Sequence, residues 1–172
     1  MSAASAIVPA FRDPLTAKIA MFLREIGLQA RAGCIEGETA LPGIDINCGV
    51  LIIDEAKMTW PGDLLHEAGH LAVAHPEKRA AFHHDVGNDP AEEMMAIAWS
   101  YAAALKLKID PAAVFHEGGY RGGSQAILDA FTRTGGFAVP MLDYTGMACE
   151  PKRAAERGVK PYPHMLNWLR QA

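Results

Sequence analysis

Cysteine is scarce in this sequence and badly placed for cross-linking. Cys34, Cys48 and Cys149 are the only three in 172 residues. They are far apart and form no CxxC pair, which excludes a disulfide framework and a thiolate zinc site. Reduced, mostly buried small hydrophobes are expected there. Basic clusters are missing too. The 16 Lys and Arg against 20 Asp and Glu leave a net charge of −4 with no run of cations, so the electrostatic footprint of nucleic-acid or anionic-membrane binding is absent. No stretch approaches the roughly 18 uninterrupted apolar residues of a spanning helix. The opening MSAASAIVPAFRDP has neither the basic nor the apolar region of a secretory signal. A soluble, cytoplasmic protein without a membrane or nucleic-acid partner is the expectation.

Internal repeats, low-complexity tracts and linker-like breaks are also lacking before the last quarter of the chain, so residues 1–172 read as one domain. With 50% hydrophobic residues, a chain of this length buries about two-thirds of its unfolded surface. Asp13 and Pro14 make an N-cap and N1 pair, Leu15, Ile19, Phe22, Leu23 and Ile26 recur at helical spacing, and Gly27 supplies a stop; this predicts a helix over 14–26. From there to residue 54 the pattern is β-like. LQARAGCIE and GVLIIDE predict two or three short strands, and the unbroken run Val50 to Ile53 suits a strand covered on both faces.

The run WPGDLLHEAGHLAVAHP at 60–76 predicts a second helix ending at Pro76. Asp89 and Pro90 open a third, long helix reaching Ile109, and Asp110-Pro111 restarts a short turn. The loop HEGGYRGGS follows at 116–124, then a helix from Ser124 to the Gly135-Gly136 pair, an irregular segment, and a final short helix near PHMLNWLRQ. Trp168 and Leu169 of that last helix are expected to pack on the core. The class is α+β, with a small sheet early and a mainly helical remainder.

Chemistry concentrates in the 60–76 run. His66 and His70 stand at i and i+4, one turn apart on a single helix face, and can offer two imidazole nitrogens to one cation. Glu67 lies about 100° around the helix, beside such a cation and poorly placed to ligate it. It suits the role of the glutamate in H-E-x-x-H, which takes a proton from metal-activated water. Two ordinary surface histidines would explain the run less well, because Leu64, Leu65, Ala68, Leu71, Ala72 and Val73 make it apolar nearly all round; buried imidazoles need partners. Gly69, costing about 1 kcal/mol in a helix interior, implies close approach of a strand or substrate.

A hydrolytic zinc site keeps three protein ligands and an open position. The long motif HExxHxxGxxH is broken here, since Val73 and Pro76 replace its Gly and His. Downstream donors are His75, His83, His84, Asp85, Glu92, Glu93, His116 and Asp129. Glu92 falls at the capping-box position relative to Asp89. Glu93 has no such role and leads a face continuing through Ala96, Ile97 and Ser100, which favours it as the third ligand, with Glu92 and the others as alternatives. His83, His84 and Asp85 read as an exposed loop or as orienting partners of a ligand imidazole. In the glycine-rich loop, His116 and Tyr120, with Arg121 beside them, are candidates to stabilise an oxyanion, and the glycines permit lid-like movement.

His66, Glu67 and His70, followed 23 residues on by Glu93, resemble the gluzincin arrangement of zinc metallopeptidases, and specifically the short ImmA/IrrE-like family. EMMAIA, which begins at Glu93, is similar to that family's E-A-x-x-F-A segment, over a resemblance spanning roughly 45–105. It implies a zincin-like fold, a small sheet packed on the HExxH helix and a following long helix, with His66, His70 and Glu93 as zinc ligands, Glu67 as general base and a peptide or protein as substrate. TWPGDLLHEAGH stands where the family has a Phe-Thr-rich lead-in, and Ile97 where it has an aromatic. HEAGH also occurs in membrane-bound ATP-dependent zinc proteases, but no P-loop accompanies it here. Two other classes compete: a non-catalytic metal-binding module with a regulatory or partner-binding role, and di-iron carboxylate chemistry. The last needs a second Glu-x-x-His helix that this chain lacks.

Overall fold

A computed structural model of the chain describes residues 11–172; the first ten residues of the MSAASAIVPAFRDP stretch lie outside it. Helix α1, Pro14–Glu25, forms as its caps dictate. The Asp13 carboxylate accepts from the Thr16 N–H at 2.6 Å. At the other end the Gly27 N–H reaches the Arg24 carbonyl and the Leu28 N–H the Leu23 carbonyl, with Gly27 at φ +94°. Those two bonds are a Schellman stop, which needs a left-handed residue after the helix.

Three strands follow, β1 at Ala30–Ala32, β2 at Ile44–Asn47 and β3 at Val50–Ile53, in spatial order β1-β3-β2. β3 is central, parallel to β1 and antiparallel to β2. The β2–β3 turn has only Cys48 and Gly49 between the paired Asn47 and Val50, both at positive φ, 48° and 76°. This is the left-handed two-residue hairpin turn whose twist matches the strands. The expectation of a strand covered on both faces needs correcting: Leu51 and Ile53 are buried, whereas Val50 and Ile52 are only half-buried. Helices cover one face of the small sheet. Cys34 and Cys48 are likewise exposed rather than buried, one in the loop after β1 and the other in the hairpin turn; Cys149 alone is buried.

Helix α2, Asp63–Val73, is shorter than the 60–76 run. Pro76 does not end it. Ala74 is already extended, and Pro76 instead takes the first position of a new helix, α3 at Pro76–Ala81; proline disfavours helical backbone in the residue before it. The C-terminal end of α2 is closed by Arg79 of α3. Its guanidinium donates to the Leu71, Ala72, Ala74 and Arg170 carbonyls, a cation placed where a helix C-terminus carries partial negative charge.

Helix α4, Pro90–Leu107, begins on the Asp89 cap as predicted and stops at Lys108, in the left-handed region at φ 54°. It lies antiparallel to α2, with Ala96 beside Gly69 and Ser100 beside Leu65. A Cβ on Gly69 would sit 2.8 Å from the Ala96 carbonyl oxygen. The close approach implied by that glycine is therefore real, and the neighbour is a helix rather than a strand or substrate. Two 3₁₀ turns, Pro111–Ala113 and Tyr120–Gly122, lead to α5 at Ser124–Thr134.

Beyond Gly136 the chain is more regular than the sequence implies, with α6 at Val139–Tyr144 and α7 at Pro151–Arg157. The helix expected near PHMLNWLRQ does not form. Its backbone finds partners elsewhere: Leu166 and Asn167 donate to the Met147 carbonyl, Arg170 donates to Ala72, and the Trp168 carbonyl accepts from the Trp99 indole at 2.9 Å. Trp168 does pack on the core, edge-on to Phe22 and Trp99. Among the described residues no helix is long and apolar enough to cross a membrane.

Candidate metal centre

Seven of eleven residues in α2 carry apolar side chains or none, and its two histidines share the face turned to α4. The small pair Gly69 and Ala96 lets the two backbones meet. Glu93, on α4 about one turn before Ala96, is thereby brought opposite His66 and His70. The His66 and His70 Nε2 atoms lie 3.2 Å apart, the Glu93 Oε2 is 3.1 Å from the His70 Nε2, and its Oε1 is 3.7 Å from the His66 Nε2. The two imidazole nitrogens stand at a separation close to the roughly 3.3 Å between ligands of a small tetrahedral cation, and the Glu93 carboxylate turns one oxygen to each of them. Each of the three residues offers one ligand atom within 4.8 Å of the others, a candidate metal site of two imidazoles and a carboxylate.

The electrostatics agree with the geometry. Burial, reinforced by the neighbouring His70, pushes the His66 imidazole down to about 4, which keeps it neutral with a free nitrogen lone pair at ordinary pH. The hydrogen bond from His70 holds the Glu93 carboxyl below its usual range despite partial desolvation. His66 Nδ1 is buried with no hydrogen-bond partner among the described residues. Glu67 is not part of the triad. Burial raises its pKa, with smaller upward contributions from Asp63, Glu93 and Asp45.

The other candidate donors lie outside this triad. Glu92 does not close a capping box; its carboxylate pairs with Lys78 of α3. His75 precedes α3, and Asp129 faces Gln125 and Arg133 on α5. His84 bonds Asp45 on β2 at 2.9 Å, and Asp85 accepts from the Gly87 N–H. Asp45, His84 and Glu67 together line a small cavity of about 60 Å³. His83 bridges back to Asn47.

A separate, open cleft of about 550 Å³ runs along the candidate metal site, lined by His66, Glu93, Trp60, Tyr120 and Arg121 together with the Leu41-Pro42 segment. Tyr120 sets its ring edge-on to His66, centroids 5.5 Å apart, and its buried hydroxyl has no partner among the described residues. Burial drives that phenol well above its ordinary range. His116 is buried, stacked on the Trp60 indole at 4.2 Å, with its Nε2 2.8 Å from the Asp63 carboxylate. Burial raises the Asp63 pKa, and the His116 bond opposes it.

Sequence reasoning misses Asp63, Trp60 and Asp45. An acidic residue in the first turn of a helix is already explained by the helix dipole, so Asp63 carries no signal of a second task. Its position three residues before His66 on the same face is the hint that was there to read. Tyr120 and Arg121 occupy left-handed backbone, at φ 52° and 51°, although glycines flank them on both sides. That conformation costs a side-chain-bearing residue about 1 kcal/mol or more. Comparison with protein-family models, curated proteins and solved structures finds no significant match to this chain.

Proposed function

We propose that the chain is a zinc-dependent peptidase of the HExxH type, in which His66, His70 and Glu93 hold the metal and Glu67 acts as general base. The observation that carries this reading is the convergence of three donors from two packed helices, one ligand atom of each within 4.8 Å of the others, beside a buried carboxyl group. It extends the resemblance to ImmA/IrrE-like gluzincins, whose HExxH helix is completed by a Glu from the next helix; here the short α3 intervenes and the Glu comes from α4. When bound, zinc supplies a Lewis acid that polarises the scissile carbonyl and acidifies water.

The protein's own groups do the rest. The buried Glu67 carboxyl, its affinity for a proton raised, is suited to take one from the attacking water and return it to the leaving amine. The Tyr120 hydroxyl, with no partner of its own beside His66, donates a hydrogen bond to the developing oxyanion. His116 has its Nε2 engaged by Asp63 and anchors the start of the loop that carries Tyr120.

The second reading, a metal-binding module without turnover, has one observation in its favour: Glu67 lines the small cavity with Asp45 and His84 rather than the open cleft beside His66 and Glu93. One experiment separates the two. Zinc content is measured for the wild type, His66→Ala, Glu93→Ala and Glu67→Gln, and hydrolysis of a fluorogenic peptide library for the wild type and Glu67→Gln. A peptidase retains one zinc in wild type and Glu67→Gln, loses it in the ligand variants, and cleaves only as wild type. Stoichiometric zinc surviving in both ligand variants would sink the site; zinc binding with no cleavage favours the module.

A further inference from the structure

The loop at 118–123, Gly-Gly-Tyr-Arg-Gly-Gly, contains a physical contradiction. Gly122, Tyr120 and Arg121 all adopt left-handed backbone, at φ 81°, 52° and 51°. Glycine reaches that region without strain and side-chain-bearing residues do not. Four of the six residues are glycine, yet two of the left-handed positions carry large side chains. Tight turns fix this backbone, with the Gly122 N–H on the Gly119 carbonyl and the Gly123 N–H on the Tyr120 carbonyl. Strain of this kind persists where the side chain is needed. For Tyr120 the ring against His66 supplies a reason. Arg121 packs against nothing that does so: it is exposed, lines the cleft beside His66 and Glu93, and forms no ion pair among the described residues.

The charges around the cleft sharpen the point. Its two acidic residues are both engaged, Asp63 by His116 and Glu93 by the two histidines. Among the described residues lining it, Arg121 is the one Lys or Arg. It follows directly on the residue whose ring touches His66, and consecutive α-carbons are about 3.8 Å apart. The guanidinium is thus tethered within a few residues' reach of the metal-binding face, as an unpaired planar donor fork of the kind that grips carboxylates in two parallel hydrogen bonds.

We propose that Arg121 is the specificity determinant of the cleft, binding a carboxylate carried by the peptide, either its C-terminal carboxylate or an Asp or Glu side chain near the scissile bond. This rests on the metallopeptidase reading above. Substrates are then short acidic peptides or C-terminal segments, held at one point by the metal site and at a second by Arg121, in a cleft that Leu41 and Pro42 also line.

The test uses the zinc-loaded full chain and three succinyl-hydroxamate dipeptides as metal-directed probes. One ends in a free carboxylate, one is the same compound as its carboxamide, and one is a carboxamide carrying a glutamate side chain. Binding is measured by calorimetry to wild type, Arg121→Gln and Arg121→Lys, and zinc content is determined in parallel. The wild type is expected to bind at least one carboxylate-bearing probe about tenfold or more tighter than the plain carboxamide. That preference disappears in Arg121→Gln and partly returns in Arg121→Lys, with zinc content unchanged throughout. Preference for the terminal acid identifies the C-terminus as the ligand, and preference for the glutamate probe identifies a side chain. Equal binding of all three probes to zinc-loaded wild type, or a preference that survives in Arg121→Gln, overturns the inference alone. A wild type that retains no zinc overturns the metal reading, and this inference with it.

Discussion

The two walls of the candidate metal site are built on opposite principles. One is the α2–α4 pair, where glycine is used for closeness: Gly69 has no side chain because the Ala96 carbonyl occupies the space where a Cβ would go. The other is the 118–123 loop, where Gly122 has open space around it and serves only its φ, while Tyr120 and Arg121 bear the strain. The candidate ligands are thus carried by two regular helices whose separation is set by packing, and the groups proposed to meet substrate are carried by a strained turn. Metal geometry tolerates little error; substrate contacts can be delivered by a segment able to move.

The sharpest way to break that contrast is to make a similar change on both sides. Gly69→Leu must force α4 away from α2, so we expect a loss of about 3 kcal/mol or more in urea denaturation, of the size seen when packed cores are overfilled, and a zinc affinity lower by at least about a hundredfold. Gly122→Ala meets no atom and is penalised only by its backbone, about 1 kcal/mol, with zinc affinity unchanged. Equal zinc affinity in wild type and Gly69→Leu would show that helix separation does not position Glu93.

Next in size is the coupling of metal to folding. A ligand bound only to the native state stabilises it by RT ln(1 + [L]/Kd), about 2.7 kcal/mol at a hundredfold excess over Kd. Zinc at that excess should raise the wild-type unfolding free energy by that amount and leave His66→Ala and Glu93→Ala unmoved. A similar gain in Glu93→Ala would mean that the third donor is not Glu93.

Acid should separate the two walls as well, since titrating groups crowd the helix side. In the metal-free protein the His66 imidazole is depressed from 6.5 to about 4, so between those values the unfolded chain binds the extra proton. Its contribution therefore rises with pH across that window and is lost on acidification. Glu93, also lowered, acts in the same sense below the ordinary glutamate range, while Glu67, raised, acts in the opposite sense. The difference between wild type and His66→Leu isolates the imidazole. Between pH 7 and pH 4 the wild type should lose up to about 3 kcal/mol more than the variant, because a tenfold change in proton affinity is worth roughly 1.4 kcal/mol. Parallel stability profiles would mean that His66 is not buried in the metal-free state.

How much of this the sequence reveals divides along the same line. The α1 and α4 starts are legible because Asp-Pro caps are local, whereas α2, without such a cap, is legible as a helix but not in its bounds; His66, His70 and Glu93 are legible because helix geometry converts spacing into position. What is illegible depends on distant chain. The segment near PHMLNWLRQ has helical composition, but its backbone bonds Met147 and Ala72 instead. Pro76 reads equally well as an end or a beginning, and only the extended Ala74 and His75 decide it. Glu92 suits a capping box until Lys78 arrives from α3. The Asp63–His116 pair joins residues 53 apart, which no local pattern encodes. On the loop, composition announces four glycines but not that the strain falls on their neighbours.

The smallest predicted effect probes that last point most directly. Arg121→Gly exchanges a left-handed arginine for the one residue that adopts φ 51° freely. Relief of about 1–2 kcal/mol of backbone strain is partly offset by the extra freedom glycine gives the unfolded chain, about 0.5–1 kcal/mol. The exposed side chain contributes little packing to lose. The variant should therefore be slightly more stable than wild type, by about 0.5 kcal/mol, with zinc affinity intact and the preference for carboxylate-bearing probes gone. Stability gained where recognition is lost is the pattern of a residue held in strain for its function. A variant destabilised by more than about 1 kcal/mol would show instead that Arg121 holds the loop together, and the contrast between a packed wall and a strained one would fail at its weakest joint.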